Sequence, residues 1–590
     1  MPVTNEKTRN GESRRDFCLR LCAAAGQGLQ TMEDMLCQLL TDAGYHLFST
    51  REYMSRVRGG NNSTSIRVST RPVRAWSERI DLLFVLAEGV RPNVLSRVTP
   101  ETTVVADLAR LEADAAKLRE TGASLVDLPL AAKAKELGGA IYEATLVGGL
   151  VAGVLGLLPE SADPLYEARF KVAEVAARNK EAFRRGHALG VELRDAHPRF
   201  ALNPPSSASS ARMLMSGNLS VAVGCAAAGC NFVSAYPMSP GTALFSFFSK
   251  NAGLFDCAVE QAEDEIAAIN MAIGASYAGA RTLVSTSGGG FALMGEGLSL
   301  AGITETPVVV HLAQRPGPAT GMATRTEQAD LNLALYAGHG DFPRALLAPG
   351  SAESAPEIAA RAFAIAAKFQ TPVILLTDQH FLDSAYDLAP PDPGVLPQPE
   401  GPVRTAAGYA RYALSDSPLS PRGVPGHGEG LVGFDSHEHT EDAHITEDFA
   451  LRVRMNDKRM AKLERMRDEA MPPTVVGPRG AKILVVCWGS LAEPLKEAFA
   501  VLDPDDAALV CCEQVYPLSR EMDALMRSAE RRIFVENNAA GQFARLVHLE
   551  TGFAATDTVL KYDGQPFSVE ELTGRLGELL GRHSQKGAGR

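Results

Sequence analysis

The sequence is poor in cysteine, in excess positive charge and in long apolar runs. Its nine cysteines are an odd number without regular spacing, which excludes a disulfide scaffold and predicts free thiols in a reducing cytoplasm. The net charge of −12, from 58 basic and 70 acidic residues, gives no support to phosphate-driven nucleic-acid binding. The longest apolar run, 146–158, is shorter than the roughly 20 residues of a membrane helix, and the polar N-terminus has no apolar signal core. We therefore expect a cytoplasmic protein with neither a membrane nor a nucleic-acid partner.

The chain does contain enough apolar material for several cores. Hydrophobic residues make up 45% of its 590 residues, and a domain usually takes about 100–200 residues, so three or four domains are expected. The first, residues 1–195, has strand candidates at 17–24, 65–68 and 80–86 and is predicted to be an α/β domain. The Pro- and Ser-rich stretch 196–213 is predicted to be a linker.

Later regions alternate apolar strand candidates with helical patterns. In residues 214–387 the candidates are 232–236, 282–286, 307–312, 345–348 and 372–377, which predicts a mostly parallel sheet. Residues 388–480 are Pro-rich, then acidic and His-rich, and then form a charged helix at 448–469, so they are predicted to be an extended linker segment. Residues 481–590 are predicted to form a small, doubly wound α/β domain.

Two glycine turns follow strand candidates. Gly26-Gln27-Gly28 lies between a strand and a helix, where it is either a tight turn or a contact for an anion or cofactor. Ser287-Gly288-Gly289-Gly290 precedes a helical run but lacks the lysine of a Walker phosphate loop. Its glycines favour the close approach of a ligand or of another backbone segment.

An acidic helix start lies upstream of the second turn. The apolar stripe of this helix is predicted from residues 259, 262, 266, 269 and 273. Glu265 lies beside the stripe on a face continued by small residues, which leave room for a flat ligand next to its carboxyl group. Glu263 and Asp264 are predicted only to suit the helix dipole. For Glu265 the residues alone leave a structural and a functional role open.

Two loops at strand ends each present one polar side chain. The Pro-bracketed loop 236–241 offers the hydroxyl of Ser239, and the loop 314–318 offers Arg315, whose guanidinium is either solvated or suited to a carboxylate. Candidate metal ligands are weaker: the three histidines near residue 440 match no usual zinc spacing, and no cysteine cluster fits an iron–sulfur centre. No metal site is predicted on this chain.

Several segments resemble the 2-oxoacid:ferredoxin oxidoreductases. Similar to the alpha subunit are YPMSPGT (236–242), EDEIAAINMAIGASYAGARTLVSTSGGGFALM (263–294), QRPGPATGMATRTEQADL (314–331), RYALSDSPLSPRGVPG (411–426) and ENNAAGQ (536–542). Similar to the gamma domain are AAAGQGLQ (23–30) and YMSRVRGGNNS (53–63). A gamma domain fused ahead of an alpha subunit resembles the two-subunit 2-oxoglutarate type.

The resemblance implies a thiamine diphosphate enzyme that oxidatively decarboxylates a 2-oxoacid, forms an acyl-CoA and reduces ferredoxin. For the 2-oxoglutarate type, 2-oxoglutarate and CoA give succinyl-CoA and CO₂, or the reaction runs in reverse. A pyrimidine-binding-type domain is then flanked by a gamma-type domain and the C-terminal domain. Glu265 takes the position of the glutamate that hydrogen-bonds N1′ of the aminopyrimidine, and Ser287, Gly288 and Gly289 are expected to contact the cofactor.

The resemblance also implies the substrate residues. Ser239 matches a loop hydroxyl near the substrate carboxylate, usually Thr in the family, and Arg315 matches the arginine that binds that carboxylate. Arg325 stands where many 2-oxoglutarate-type members carry Lys, and a cation there suits the distal carboxylate of 2-oxoglutarate. Pyruvate, branched-chain and aryl 2-oxoacids stay open as alternative substrates.

The sequence does not contain the second half of such an enzyme. Neither Gly340-Asp341-Phe342 nor Tyr562-Asp563-Gly564 fits the Gly-Asp-Gly pattern that holds the diphosphate through Mg²⁺. The resemblance therefore implies a beta subunit with Mg²⁺ and a [4Fe-4S] cluster, in a heterodimer or a dimer of heterodimers that is active only as a complex. The Gly541-Gln542 turn is expected to be structural. CoA contact by the gamma domain, a non-catalytic assembly subunit and a thiamine-independent nucleotide-binding protein stay open.

Overall fold

The computed structural model describes residues 16–24, 26–54, 61–197, 200, 202–203, 205 and 212–581. The chain divides into two compact units. The first comprises Met1–Met215, Ser384–Pro390 and Ser568–Gly574, and the second comprises Ser216–Asp383, Pro391–Phe567 and Arg575–Arg590. Much of the predicted linker 196–213, and parts of the segments 23–30 and 53–63, lie outside the described residues. The predicted five-part division of the chain stays a prediction.

An eight-stranded mixed sheet forms the first unit. Its strands are β1 (Asp16–Ala24), β2 (His46–Glu52), β3 (Asn61–Ser69), β4 (Leu82–Val85), β5 (Thr103–Ala106), β6 (Ser124–Asp127), β7 (Met213–Ser216) and, from later in the chain, β14 (Ala385–Leu388). They lie in the order β6-β5-β4-β1-β3-β2-β14-β7. Strands β4 to β6 continue β1 in parallel, whereas β3 is antiparallel to both β1 and β2. The α/β class predicted for this region is confirmed.

Helices cover the sheet of the first unit. They are α1 (Leu29–Asp42), α2 (Pro92–Leu95), α3 (Leu108–Glu120), α4 (Leu130–Glu136), α5 (Glu143–Val154), α6 (Asp163–Arg169) and α7 (Ala173–Ala196). Helices α5 and α7 approach closely because Gly149 of α5 faces the Phe183 carbonyl of α7 and Gly186 of α7 faces the Leu146 carbonyl of α5, where a Cβ atom would collide with the carbonyl oxygen. Among the described residues, no single helix is long and apolar enough to cross a membrane; α4 and the stretch Ala140–Val154 meet both criteria only when taken together as a bent pair.

A seven-stranded sheet lies in the second unit. Its strands are β8 (Phe232–Ala235), β9 (Ala258–Gln261), β10 (Thr282–Thr286), β11 (Val308–Gln314), β12 (Ala345–Leu347), β13 (Pro372–Asp378) and β18 (Gln514–Tyr516), in the order β18-β12-β13-β11-β10-β8-β9. All are parallel except β18, which pairs antiparallel with β12. Strands β10, β11 and β13 are buried along their whole length, as expected for a sheet covered on both faces. The predicted mostly parallel sheet is confirmed.

Helices connect the strands of this sheet. They are α8 (Gly217–Ala227), α9 (Thr242–Asn251), α10 (Glu265–Tyr277), α11 (Gly288–Leu293), α12 (Gly295–Ile303), α13 (Leu331–Tyr336), α14 (Ala355–Phe369) and α15 (Gln379–Asp383). The apolar stripe predicted for α10 is wrong in part, because Val259 lies in β9 before the helix begins and Ile266 is 50% exposed. The small-residue face with Ala268 and Ala272 is buried instead.

The segment after β14 is mostly irregular up to α16 (Phe449–Asp468), which the sequence predicts. Within the second unit, the segment is anchored by contacts to Glu305. Lys458 donates to the Glu305 carboxylate at 2.8 Å and Lys462 pairs with it at 2.5 Å. Arg411 donates to the Glu305 carbonyl at 2.7 Å. This part of the predicted linker is therefore a packed part of the second unit, held at Glu305.

A five-stranded sheet forms the C-terminal part of the second unit. Its strands are β15 (Thr474–Val476), β16 (Ile483–Trp488), β17 (Ala507–Cys512), β19 (Arg531–Glu536) and β20 (Asp557–Leu560), with α17 (Ala492–Leu502), α18 (Arg520–Ser528) and α19 (Gln542–Thr551) between them. Helix α20 (Val569–Leu579) follows, and its residues up to Gly574 belong to the first unit. The order is β15-β17-β16-β19-β20, with only β15 antiparallel. The predicted doubly wound topology is confirmed. The chain adds strands first on one side of β16 and then, from β19, on the other. This change of strand order opens a crevice at the carboxyl ends of β16 and β19.

Candidate active site

The candidate residues gather where β8, β10 and β11 of the seven-stranded sheet end. The loop 236–241 follows β8, the turn 287–290 follows β10, and the loop 315–330 follows β11. These strands are parallel, so their carboxyl ends meet at one edge of the sheet. Segments that are distant in sequence thus become neighbours at the edge where α/β domains bind ligands.

Glu265 is the first residue of α10. The carboxylate of Asp264 caps the helix by accepting a hydrogen bond from the Ala267 amide at 2.7 Å, which confirms that Asp264 has a structural role. Glu265 is only 4% exposed, and its Oε1 atom is buried without a hydrogen-bond partner. A buried carboxyl oxygen without a partner is costly, so its place in the fold indicates a ligand group that completes it.

The glycine turn lies directly against Glu265. A Cβ atom on Gly290 would collide with Oε1 and lie 2.7 Å from Cδ of Glu265, so only glycine leaves room for the carboxyl group. The glycines were predicted to precede a helix, but Gly288 to Gly290 form the first turn of α11. The Ser287 hydroxyl before them is also buried without a partner. The group that approaches the glycines closely is thus a side chain, whereas the predicted approach of a ligand or of another backbone segment stays a prediction.

Ser239 and Arg315 are brought together. The guanidinium of Arg315 donates to the Ser239 carbonyl oxygen at 2.8 Å, and Arg315 is 9% exposed whereas Ser239 is exposed. Burial lowers the pKa of Arg315, and the charge of Asp330 opposes that shift. The contact uses the backbone of Ser239 and leaves the guanidinium fixed at the mouth of the site.

Arg325 lies half-buried on the loop after β11. Its guanidinium donates to the Thr324 carbonyl at 2.8 Å. Its Cβ atom faces the turn at Gly564, where a Cβ on the glycine would approach to 3.3 Å. Arg325 is thus placed by the C-terminal sheet as well as by its own loop.

Two acidic residues on the loop after β11, Glu327 and Asp330, also belong to the site, although no sequence pattern marks them. The Asp330 side chain does not cap α13, although it stands at the N-cap position, and its carboxylate faces Gly288, where a Cβ would lie 2.5 Å from Oδ1. Burial raises the pKa of Asp330 to about 6, and Arg315 opposes the shift. Burial, with Asp330 and Asp563 nearby, raises the pKa of Glu327 to about 7. The site therefore holds titratable carboxyl groups beside its arginines.

A buried polar row supports the loop 236–241 from within the sheet. The Ser285 hydroxyl donates to the Gly241 carbonyl at 3.1 Å and lies 3.0 Å from Nδ1 of His311. Nε2 of His311 is 2.8 Å from the Thr377 hydroxyl. Burial lowers the pKa of His311 to about 3, so the ring is neutral at physiological pH. Polar residues inside otherwise apolar strands are the sequence signal for this row.

Across the described ranges, no group of three or more His, Cys, Asp or Glu side chains is arranged to hold a metal ion. The nine cysteines are buried and free. The residues of the site suit an organic group that offers hydrogen-bonding atoms, because a buried carboxyl oxygen and a buried hydroxyl without partners border the glycine turn. An aminopyrimidine, which offers ring nitrogens and an amino group in one plane, fits this donor set.

Profiles of two families match separate parts of the chain. The family described as pyruvate flavodoxin/ferredoxin oxidoreductase, thiamine diphosphate-binding, matches residues 223–458. The family described as pyruvate ferredoxin/flavodoxin oxidoreductase matches residues 18–189. The first match contains the whole edge at which Glu265, Ser287 and Arg315 meet.

Relatives match almost the entire chain. The alpha subunit of 2-oxoacid:ferredoxin oxidoreductase 2 from Aeropyrum pernix is 31% identical, and the match covers 96% of this chain and 98% of the relative. The 2-oxoglutarate oxidoreductase subunit KorA of Mycobacterium tuberculosis is 30% identical over 73% of this chain and 68% of its own length. Among solved structures, the 2-oxoglutarate:ferredoxin oxidoreductase of Magnetococcus marinus, with 2-oxoglutarate, coenzyme A and succinyl-CoA bound, superposes with a TM-score of 0.89 at 27% identity, over 96% of this chain and 100% of that one. The chain therefore belongs to the 2-oxoacid:ferredoxin oxidoreductases, as an alpha subunit with a gamma-like N-terminal domain followed by a thiamine diphosphate-binding domain.

Proposed function

We propose that this chain provides the aminopyrimidine side of the cofactor site and the substrate-binding arginines of an enzyme that acts on 2-oxoglutarate. In the forward direction, 2-oxoglutarate, CoA and two oxidised ferredoxins give succinyl-CoA, CO₂, a proton and two reduced ferredoxins. The observation that carries the proposal is the unpartnered, buried Oε1 of Glu265 against Gly290, at the same sheet edge as Arg315.

Glu265 is the catalytic residue of the proposal. Thiamine diphosphate, when bound, supplies the carbon nucleophile and the electron sink that decarboxylation of a 2-oxoacid requires. The Glu265 carboxyl group would hydrogen-bond the N1′ position of the aminopyrimidine through Oε1, because burial and the absence of another partner leave that atom to the ligand. The Ser287 hydroxyl, Gly288 and Gly289 border the same space and are proposed to contact the cofactor.

Arg315 and Arg325 are proposed to bind different carboxylates of the substrate. Arg315, buried and anchored on the Ser239 carbonyl, is proposed to bind the carboxylate next to the oxo group, together with the exposed Ser239. Arg325 is proposed to bind the distal carboxylate that 2-oxoglutarate has and pyruvate lacks. The names of the Mycobacterium and Magnetococcus relatives, both of which act on 2-oxoglutarate, support this choice of substrate.

A partner subunit is proposed to close the site. Large apolar side chains stand exposed on the elements that build it: Tyr236 at 42%, Ile266 at 50%, Leu293 at 52% and Met322 at 49%. Such a rim of exposed apolar groups around a polar centre is typical of a protein–protein interface. We propose that a beta subunit covers this rim and brings the diphosphate-binding Mg²⁺ and a [4Fe-4S] cluster, in a heterodimer or a dimer of heterodimers in the cytoplasm.

The test uses the tagged chain, purified without oxygen from its own host with whatever copurifies. CoA-dependent reduction of a viologen dye is measured with 2-oxoglutarate and with pyruvate, side by side. We expect an iron-containing second subunit to copurify and the dye to be reduced faster with 2-oxoglutarate than with pyruvate.

Activity with pyruvate alone would retain the role of Glu265 and refute the role of Arg325. Copurification of an iron-containing subunit without activity on any 2-oxoacid would instead favour a non-catalytic assembly subunit.

A further inference from the structure

The C-terminal sheet uses its ligand-binding edge to hold a loop of the active site. Doubly wound domains bind ligands in the crevice where the strand order reverses, which here lies at the carboxyl ends of β16 and β19. In this chain the crevice contains Gln328, which is 1% exposed and lies on the loop between Arg325 and Asp330. A segment of the protein itself therefore occupies the crevice in which other doubly wound domains bind a ligand.

Gln328 is bound from both strands that border the crevice. Its side-chain amide donates to the Trp488 carbonyl at the end of β16 at 2.9 Å. Its backbone amide donates to the Asn537 carbonyl after β19 at 2.7 Å, and its Oε1 accepts from the Asn537 amide at 3.0 Å. Every polar group that Gln328 presents to the crevice is therefore matched, which fixes the loop in position and direction.

Gln542, the first residue of α19, binds the same segment one and four residues after Gln328. Its side-chain amide donates to the Ala329 carbonyl at 2.8 Å, and its Oε1 accepts from the Asn332 amide at 2.8 Å. The turn that carries Asn537 and Gln542 is itself rigid, because the buried Glu536 carboxylate accepts from the amides of Phe543 and Ala544, each at 2.9 Å. The Gly541-Gln542 turn thus contacts the active-site loop directly.

A third point of attachment lies next to Arg325. The Thr326 amide donates to the Gly564 carbonyl at 3.3 Å, after β20. Gly564 has a positive φ of 78°, and a Cβ there would approach Cβ of Arg325 to 3.3 Å. Arg325 therefore stands directly before two anchored positions, Thr326 and Gln328.

We infer that Asn537, Gln542 and Gly564 are positioning residues, which set the place of Arg325 in the active site through the loop 325–332. The inference rests on the proposed function for the role of Arg325. It assigns to the C-terminal sheet a part in substrate recognition, and it explains why its ligand-binding crevice is filled by Gln328.

The experiment uses the complex purified without oxygen and three variants of this chain. Gln328→Ala and Gln542→Ala each remove two-sided hydrogen bonding at the loop. Gln514→Ala is the matched control, because Gln514 is also buried, donates to the Pro517 carbonyl at 3.1 Å and accepts from the Met471 amide at 3.0 Å, away from the loop.

Hydrogen exchange and steady-state kinetics are measured on each. In the wild-type protein the amides of 326–332 should exchange slowly and those of the exposed 317–320 rapidly. Gln328→Ala and Gln542→Ala should speed exchange across 322–332 and raise KM for 2-oxoglutarate about 10-fold or more, with a smaller change in kcat. Gln514→Ala should change neither.

Two results would overturn the inference. Exchange in 322–332 that is as fast in the wild type as in the exposed neighbours would show that the crevice does not hold the loop. Faster exchange in the variants with an unchanged KM would show that the hold has no bearing on the substrate. A wild-type complex without activity on 2-oxoglutarate would refute the proposed function instead, and the exchange data would still decide whether the crevice holds the loop.

Discussion

Glu265 Oε1, Ser287 Oγ and Asp330 Oδ2 are buried atoms without partners, and all three border the turn that begins α11. An unpaired buried polar atom costs about 1–3 kcal/mol. Three such atoms side by side therefore indicate a site where a ligand supplies the missing hydrogen bonds. Glu265 and Ser287 could be identified from the sequence, because a helix start and a glycine turn mark them. Asp330 could not, since its role follows from a side chain that turns away from its own helix toward Gly288.

Arg325 gives the sharpest test of substrate choice at the residue scale. Arg325→Met removes the cation proposed for the distal carboxylate, so KM for 2-oxoglutarate should rise about 10- to 100-fold, the worth of a hydrogen bond to a charged group. Turnover of pyruvate, where measurable, should change little. Arg325→Lys is the control that keeps the charge and should recover part of the loss. An equal effect of Arg325→Met on both substrates would contradict the assignment.

Asp330 predicts a pH dependence of stability. Its pKa in the folded protein is raised to about 6 from 3.8, so the folded state holds the proton more tightly than the unfolded chain, and stability is lost as the pH rises through this window. Asp330→Asn cannot ionise. Its free energy of unfolding should exceed that of the wild type by more at pH 7.5 than at pH 4.5, and the change between the two pH values should be on the order of 2 kcal/mol.

The comparison for this prediction is Asp341→Asn, at an exposed position. Its melting temperature should follow that of the wild type at both pH values. A difference between Asp330→Asn and the wild type that is the same at pH 4.5 and pH 7.5 would rule out the proposed ionisation.

At the scale of elements, the contact between α10 and α11 determines whether the site can form. Gly290→Ala places a methyl group against the Glu265 carboxyl and should abolish thiamine diphosphate binding, measured by quenching of protein fluorescence, at little cost in secondary structure. Gly295→Ala, at the start of α12, meets nothing closer than 3.6 Å and should bind the cofactor normally. Normal binding by Gly290→Ala would show that the close approach is not required.

A second element-scale prediction concerns α16. Burial opposes ionisation of Glu305, but Lys462 and Lys458 outweigh it and hold the pKa of that carboxyl below its usual range. Glu305→Gln leaves two buried ammonium groups without their partner and should lower the free energy of unfolding by about 3–5 kcal/mol. Glu357→Gln breaks the exposed pair with Arg361 and should cost less than about 0.5 kcal/mol. Equal losses in chemical denaturation would contradict the buried anchor.

Local patterns could predict most strands and helices and the parallel sheet, but not the contacts between segments far apart in the chain. The runs that became β10, β11 and β13 are continuous and apolar, and each stands between helical patterns, so their parallel pairing follows from the sequence. The buried face of α10 could not be predicted, because the helix is apolar on every side and has no single stripe. Strand β18 joins the edge of a sheet built from residues far earlier in the chain, which no local pattern records.

At the scale of the whole molecule, the site depends on contacts over long distances in sequence. Asn537 and Gln328 are 209 positions apart, and Gln542 and Asn332 are 210 apart, yet these pairs hold the loop of Arg325. The motif ENNAAGQ marks one side of this contact in the sequence, but nothing in it indicates the loop that it binds. Contacts between distant segments of the second unit therefore build the site, whose exposed apolar rim we expect a second subunit to cover.

The most direct test of the account is formation of succinyl-CoA by the purified complex, followed by mass spectrometry with 2-oxoglutarate, CoA and oxidised ferredoxin. We compare the wild type with Glu265→Gln and with Glu263→Gln, an exposed neighbour on the same helix start. The account predicts product with the wild type and Glu263→Gln, and a loss of about 100-fold or more with Glu265→Gln at unchanged melting temperature and subunit composition. Near-normal product formation by Glu265→Gln would contradict the account.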